Sequence, residues 1–280
     1  MNLAIEGNID DYSIDIESLL RQMAPVHAAV PRHAWKVQCG GCRYLGPWAA
    51  AVLASAYFAG VQRGQRPRIR LPAAPPALGA FCRFSGMTQV FEKGEQPDLG
   101  HPDNETAPVE RFNEANWNLP DPIIRLLKRH VAELDPEVED WIRTCIREVT
   151  QNTIDHSQSP IGGVMAARYL AASREVRVGI VDRGVGIAES LSTRVDGVTR
   201  AFDALRRVVQ GGYSSRSRAN NLGQGISNLF LLVRLARGRI CLFSDDGVAS
   251  SQSGSEPSIR TLDFRFPGTA VFFALPTDAP

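Results

Sequence analysis

No charge of either sign dominates this sequence: 31 Lys+Arg stand against 30 Asp+Glu, a formal net charge of +1. Without a basic excess there is no general electrostatic footprint for nucleic acid or for an anionic membrane surface, and neither is expected as a partner. Cysteine is scarce and odd in number, five in 280 residues. That suits a reduced compartment better than a disulfide framework. The opening MNLAIEGNID has neither a basic n-region nor an apolar h-region, so no secretion signal is evident. Long apolar runs are missing as well. The longest, around Trp48 to Ala59, is too short and too rich in alanine to span a bilayer. These absences lead to the expectation of a cytoplasmic protein.

What is present is ordinary globular material, 44% hydrophobic and 22% charged, in a length that allows two modest domains or one large one. In residues 1–30, Ile14, Leu19, Leu20 and Met23 recur at helical spacing, and this stretch reads as an N-terminal extension. Trp35 to Cys39 alternates like a strand, and Gly40-Gly41 reads as its turn. Pro47 starts a helix over Trp48 to Phe58, Arg66 to Leu71 is a second strand, and Leu78 to Phe84 a second helix. Strand, helix, strand, helix is the pattern of a small α/β unit. Cys39 and Cys42 have the CxxC spacing of zinc or redox sites. Only Cys82 follows nearby, so buried thiols are the favoured alternative. Residues 101–119 read as a linker, with Asp121 as N-cap and Pro122 at the first position of the next helix.

The α/β unit, over roughly residues 30–95, resembles a STAS domain, the fold of anti-sigma-factor antagonists. Where that family carries an Asp-Ser pair, this chain has Leu45, Gly46 and Pro47. A phosphate switch there lacks its hydroxyl.

Four separated pieces downstream carry chemistry. Pro136 to Ser157 reads as one helix with an apolar stripe (Val138, Trp141, Ile142, Cys145, Val149) and beside it a polar seam of Glu148, Asn152 and Asp155 or His156. Asn152 offers a neutral oxygen suited to Mg²⁺, and Glu148 can serve as general base. A solvated helix face is the bland alternative. The strand Val176 to Val181 ends in Asp182-Arg-Gly-Val-Gly-Ile187, where a carboxylate can accept an adenine amino group and glycines allow close backbone approach. Ser214, Ser215, Arg216 and Arg218 lie in a small, basic stretch that is either a phosphate-reaching flap or a solvated loop. Gly223-Gln224-Gly225-Ile226 opens a helix whose N-terminus suits an anion. Arg239 to Phe243 is a strand, and Ser244 to Ser258 reads as a disordered hairpin tip. Thr261 to Phe266 and Ala270 to Leu275 are expected to pair around Pro267-Gly268-Thr269.

In this order the pieces resemble the GHKL (Bergerat-fold, histidine-kinase-like) ATP-binding domain over residues 120–278. Glu148-x-x-x-Asn152-x-x-x-His156 is similar to its N-box, Asp182-x-Gly184-x-Gly186-Ile187 to its G1 box, Gly223-x-Gly225 to its G2 box and Gly268-Thr269 to its last box. The G2 match departs at Ser227 and Asn228, where the family has glycine and leucine. The resemblance implies ATP and Mg²⁺ as cofactors. Glu148 would be catalytic, Asn152 the metal ligand, and Asn152, Asp155, Asp182, Gly184, Gly186, Ile187, Arg216, Gly223, Gln224, Gly225, Ile226 and Thr269 nucleotide-binding. Ala188 to Asn221 would be the ATP lid. The fold expected is α/β: a Bergerat-type sandwich, a mixed sheet with helices on one face, over 120–280, after a smaller STAS-like domain over 31–100.

No histidine is followed by an acidic residue, so a histidine autokinase is not expected. The chain ends at Pro280, which is read as leaving no room for a transducer domain. The reading that remains is an ATP-driven bacterial signalling protein of the anti-sigma serine kinase type, a weak ATPase or a serine/threonine protein kinase. The alternative is a non-catalytic nucleotide sensor whose lid controls a partner. A protein partner (a regulator or anti-sigma-antagonist-like protein) is expected, and a homodimer is compatible with the sequence.

Overall fold

The computed structural model describes residues 1–9, 13–27, 34–73, 75–93, 103–193, 195–210 and 224–278. The chain begins with β1 (Asn2–Ile9), α1 (Ser13–His27), β2 (Ala34–Leu45), α2 (Pro47–Gln62), β3 (Arg66–Arg70), α3 (Pro76–Phe84) and α4 (Met87–Lys93). β1, β2 and β3 pair in parallel in that order. The stretch read as an extension therefore supplies an edge strand, and α1 buries Ile16, Leu19, Leu20 and Met23. Gly40-Gly41 is not a turn. β2 runs through it with a register slip, from Ala4↔Gln38 to Glu6↔Gly41. Such a bulge puts one extra residue in one strand, and glycine accommodates it. It turns Cys39 and Cys42 to the same buried side.

The second part comprises β4 (Thr106–Phe112), α5 (Asp121–His130), α6 (Pro136–His156), β5 (Gly163–Leu170), β6 (Glu175–Asp182), α7 (Gly186–Ser192), α8 (Ala201–Gln210), α9 (Gln224–Leu235), β7 (Arg239–Gln252) and β8 (Ser258–Pro276). β4 lies in the stretch read as a linker. Asp121 sits inside the first turn of α5, where Pro120 is the N-cap, and its carboxylate accepts from Arg143 of α6.

The sheet order is β4-β5-β6-β8-β7 and every pairing is antiparallel. The expected mixed sheet is corrected to an antiparallel one, while the helices of 120–280 lie on one face as expected and the other face is covered from the N-terminal unit. Met165, Val178, Ile180, Leu242, Val271 and Phe273 face a core shared with α5, α6, α8 and α9. Their alternating neighbours Val164, Ala166, Phe243, Ala270, Phe272 and Ala274 face a second core shared with α1 and α2. A strand apolar on both faces, such as Ala270 to Leu275, has no alternation for a sequence to display.

Helix α2 is buried from Pro47 to Gly60, as a helix apolar all round must be. Its alanines let it approach the sheet closely. A Cβ built on Gly179 of β6 would lie 3.2 Å from Trp48 Cα and 3.3 Å from Ala51 Cβ.

β7 and β8 also differ from expectation. Ser244 to Ser258 is not an open tip, since β7 continues to Gln252. A straight strand of this length would separate its ends by roughly 45 Å, yet Ser253 N–H donates to Gly238 O at 2.8 Å. β7 therefore doubles back near Asp245 (φ 51°). Residues 239–244 pair with 269–274 and residues 247–250 with 258–261. Thr261–Phe266 and Ala270–Leu275 thus both pair with β7 and not with each other.

Replacing Gly179 by leucine drives a side chain into the α2–β6 contact. Gly179→Leu is expected to lower stability by about 1–3 kcal/mol, read as a lower urea midpoint; an unchanged midpoint would show that α2 does not clamp this strand.

Candidate functional site

Asp135 caps α6 by accepting from the N–H groups of Glu137 (2.7 Å) and Val138 (3.3 Å), with Pro136 at the first helical position. The buried stripe is Ile142, Cys145, Ile146, Val149, Thr150 and Thr153. Val138 lies outside it, 39% exposed. The polar seam divides. Asn152 and His156 line a cavity of about 60 Å³, several times the ~10–15 Å³ that one water needs. Asp155 is exposed and accepts from Gln151 Nε2 at 2.8 Å, so it does not face the cavity.

The cavity gathers residues from distant segments: Val149, Asn152, Thr153 and His156 from α6, Ile180 and Asp182 from β6, Gly186, Ile187 and Leu191 from α7, Ile226 from α9, and Thr269 and Val271 from β8. Five of the residues expected to bind nucleotide at separate points of the sequence thus meet Asp182 at one place. The walls are mainly aliphatic, and the polar atoms are few and converge.

Asp182 is the buried pole of the cavity, 3% exposed. Its Oδ1 accepts from Gly184 N–H at 2.8 Å and Thr269 N–H at 3.1 Å, and the Thr269 side chain bonds to the same carboxylate. Burial pushes the Asp182 carboxyl up to about 6, against the pull of these donors and of Arg183. Two glycines make the arrangement possible. A Cβ at Gly184 would lie 1.8 Å from Ser157 O, because Val185 N–H donates to that carbonyl at 2.8 Å and draws the turn onto the end of α6. Gly268 has φ 97°, and a Cβ there would lie 2.5 Å from Asp182 O.

Ser244 was not anticipated. Its hydroxyl accepts from Ile187 N–H at 2.8 Å and donates to Gly268 O at 3.2 Å, tying the start of α7 to the β8 bulge. The available signal was its place as the first polar residue after the apolar run Ile240 to Phe243.

Glu148 stands apart from this cavity. Its carboxylate accepts from Asn228 of α9 and is pushed above the ordinary carboxylate range by burial. Its Oε2 is buried with no hydrogen-bond partner among the described residues. Gly225 lies directly against it, where a Cβ would be 2.5 Å from Glu148 Cβ and 3.0 Å from Oε2. The glycine at 225 therefore has a packing reason, the close crossing of α6 and α9, whatever else it contacts. Gln224 begins α9; Arg216, Gly223 and the 211–223 segment lie outside the described residues. No cluster of three or more His, Cys, Asp or Glu suited to a metal occurs among the described residues. All five cysteines are free and buried. No described helix is long and apolar enough to cross a membrane.

No protein-family model matches the chain, and no curated protein does either.

Gly184→Ala is expected to lower Tm by several degrees, because the carbonyl it strikes belongs to backbone and cannot swing aside. Gly40→Ala, with nothing within 4 Å of its Cβ, should leave Tm unchanged. Equal midpoints for the two variants would show that the Asp182 turn is not clamped on α6.

Proposed function

We propose that this chain binds ATP with Mg²⁺ as a cytoplasmic signalling protein of histidine-kinase-like type, acting as a weak ATPase or a serine/threonine protein kinase. The observation that carries the reading is the meeting of Asn152, Asp182, Gly186, Ile187, Ile226 and Thr269 in one aliphatic-walled cavity. They come from four stretches separated by up to 117 residues (152 to 269). A buried carboxylate held by backbone donors on one oxygen can accept the exocyclic amine of adenine, and the aliphatic walls suit the faces of a flat ring. The N-terminal α/β unit and a protein partner are read as the regulatory side of the molecule.

The residues present fit the cofactors. Asn152 would offer Mg²⁺ one neutral oxygen, in keeping with an ion that retains waters and takes its other ligands from phosphates. ATP would supply the phosphoryl group, and an ion held at Asn152 would supply the positive charge that offsets the phosphates. Glu148, desolvated beside Gly225, would hold the attacking water or hydroxyl and take its proton. Its proton affinity, raised by burial, suits a group that must accept a proton.

A second reading, a nucleotide sensor without turnover, is favoured by the Asn228 contact, which engages the Glu148 carboxylate away from the cavity.

Calorimetric titration with ATP and Mg²⁺ tests the proposal. Micromolar binding is expected, lost in Asp182→Asn, where the amide keeps the shape and removes the charge. No binding by the unsubstituted chain sinks the reading. Glu148→Ala should then abolish turnover while sparing binding; a wild-type chain that binds without turnover decides for the sensor.

The pH dependence follows from Asp182. Its folded value of about 6 makes nucleotide affinity full above pH 6 and smaller below it, as protonation removes the charged acceptor. Folding carries the opposite sign. The native state holds this proton more tightly than the unfolded chain, with its ordinary value of 3.8, so this group's contribution to stability declines as pH rises from 3.8 to about 6. Affinity unchanged between pH 5 and pH 7 would remove Asp182 from the binding event.

A further inference from the structure

Next to Asp182, Arg183 points the opposite way, out of the cavity and through the sheet into α2. It is 4% exposed. Its Nε donates to Ser55 Oγ at 2.9 Å and its NH2 group to Val52 O at 3.0 Å. The guanidinium lies 4.7 Å over the Phe266 ring of β8, and Arg183 N–H donates to Ser159 Oγ at 3.2 Å. The turn that carries Asp182 is thus anchored on one side to α6 through Ser157, and on the other to the middle of a helix from the N-terminal unit. A guanidinium buried this deeply is costly unless its donors are met, and it is held below its ordinary range, at about 9, by that burial. Surface packing between two units does not require such a group.

We propose that Arg183 is a positioning residue for the nucleotide site, and that through it α2 of the N-terminal unit sets the affinity of the Asp182 turn for nucleotide. This rests on the nucleotide reading above. The pocket wall and the α2 anchor are consecutive residues on one short backbone turn, so a shift of α2 along β6 moves Asp182 against Thr269 and Gly268. By linkage, nucleotide in the cavity favours the α2 position that keeps Ser55 and Val52 on Arg183. A partner acting on the N-terminal unit thereby reaches the cavity without touching it.

Two variants separate this from simple packing. Ser55→Ala removes one acceptor within a helix that tolerates alanine, and Ser55 does not line the cavity. Arg183→Met keeps an unbranched apolar stem and removes the charge that lies over Phe266. Titration with ATP and Mg²⁺ should give about tenfold weaker binding in Arg183→Met, the size expected for a lost charged hydrogen bond, and a smaller loss in Ser55→Ala. The pH profile supplies a readout that packing would not move. The charged groups around Asp182 are Arg183 on its own turn and Arg63 at the end of α2, which acts on Arg183, while His156 lines the cavity from α6. Since Arg183 holds the Asp182 carboxyl down, its removal should move the pH at which half the affinity is lost upward. Arg183→Lys, a point charge without the fork, should restore the midpoint but not the full affinity. Wild-type affinity in Ser55→Ala overturns the proposal while leaving nucleotide binding intact, as does an unmoved midpoint in Arg183→Met. Absence of binding in the unsubstituted chain overturns both readings together.

Discussion

The second half of this molecule is arranged around one buried carboxylate. An ionised Asp182 without donors would be untenable in an aliphatic cavity. Its two backbone donors come from its own turn and from β8, 87 residues on. To bring them within reach the chain must pass too close for side chains at Gly184 and Gly268. The bulge in β8, the turn after β6 and the seat of that turn on the end of α6 are three consequences of one requirement. Ser244 then fixes the remaining angle by joining Ile187 to Gly268.

How much of this was legible depended on the range of the interaction. Helix α6 and strand β6 with its turn carry local signals: an Asp-Pro cap, a 3.6-residue stripe, an alternating run and a glycine pair. They appear within a residue or so of where the sequence puts them. The stripe itself was misjudged at its start, because Val138 precedes the point where α5 and the sheet begin to cover the helix. Asp155 looked equivalent to His156 by spacing alone. On a helix, however, one residue is 100° of rotation, enough to turn a side chain from cavity to solvent. Ser244 had only a weak local signal, its place after an apolar run, and the doubling back of β7 had none, since it exists only in relation to β8 and Gly238.

Burial on both faces of the five-stranded sheet was illegible for a different reason. A resemblance to a sandwich with helices on one face leaves the other face unassigned, and β8 is apolar at every position from Ala270 to Leu275. Such a run is compatible with either arrangement. The deciding feature lay elsewhere, in α2, whose fourteen residues from Pro47 to Gly60 are all buried. A helix with no polar face needs cover on every side, and here the five-stranded sheet covers one side while β3, α1 and α4 cover the others. Read that way, Trp48 to Ala59 was the strongest available statement that the two α/β parts share a core.

The site then divides into two parts with different physical characters. Around Asp182 the geometry is over-determined: Oδ1 takes two backbone N–H donors, and Gly184 and Gly268 are each forced by a neighbouring backbone carbonyl. Around Glu148 it is under-determined. One carboxylate oxygen is buried without a partner, and the neighbouring residue on α9 is Asn228, a side chain able to bind a carboxylate in a way that leucine cannot. Burial leaves this carboxyl group with a raised proton affinity. The Asp182 half is fixed by its own turn, α6 and β8, while the Glu148 half lies against α9, whose start adjoins the 211–223 segment in sequence.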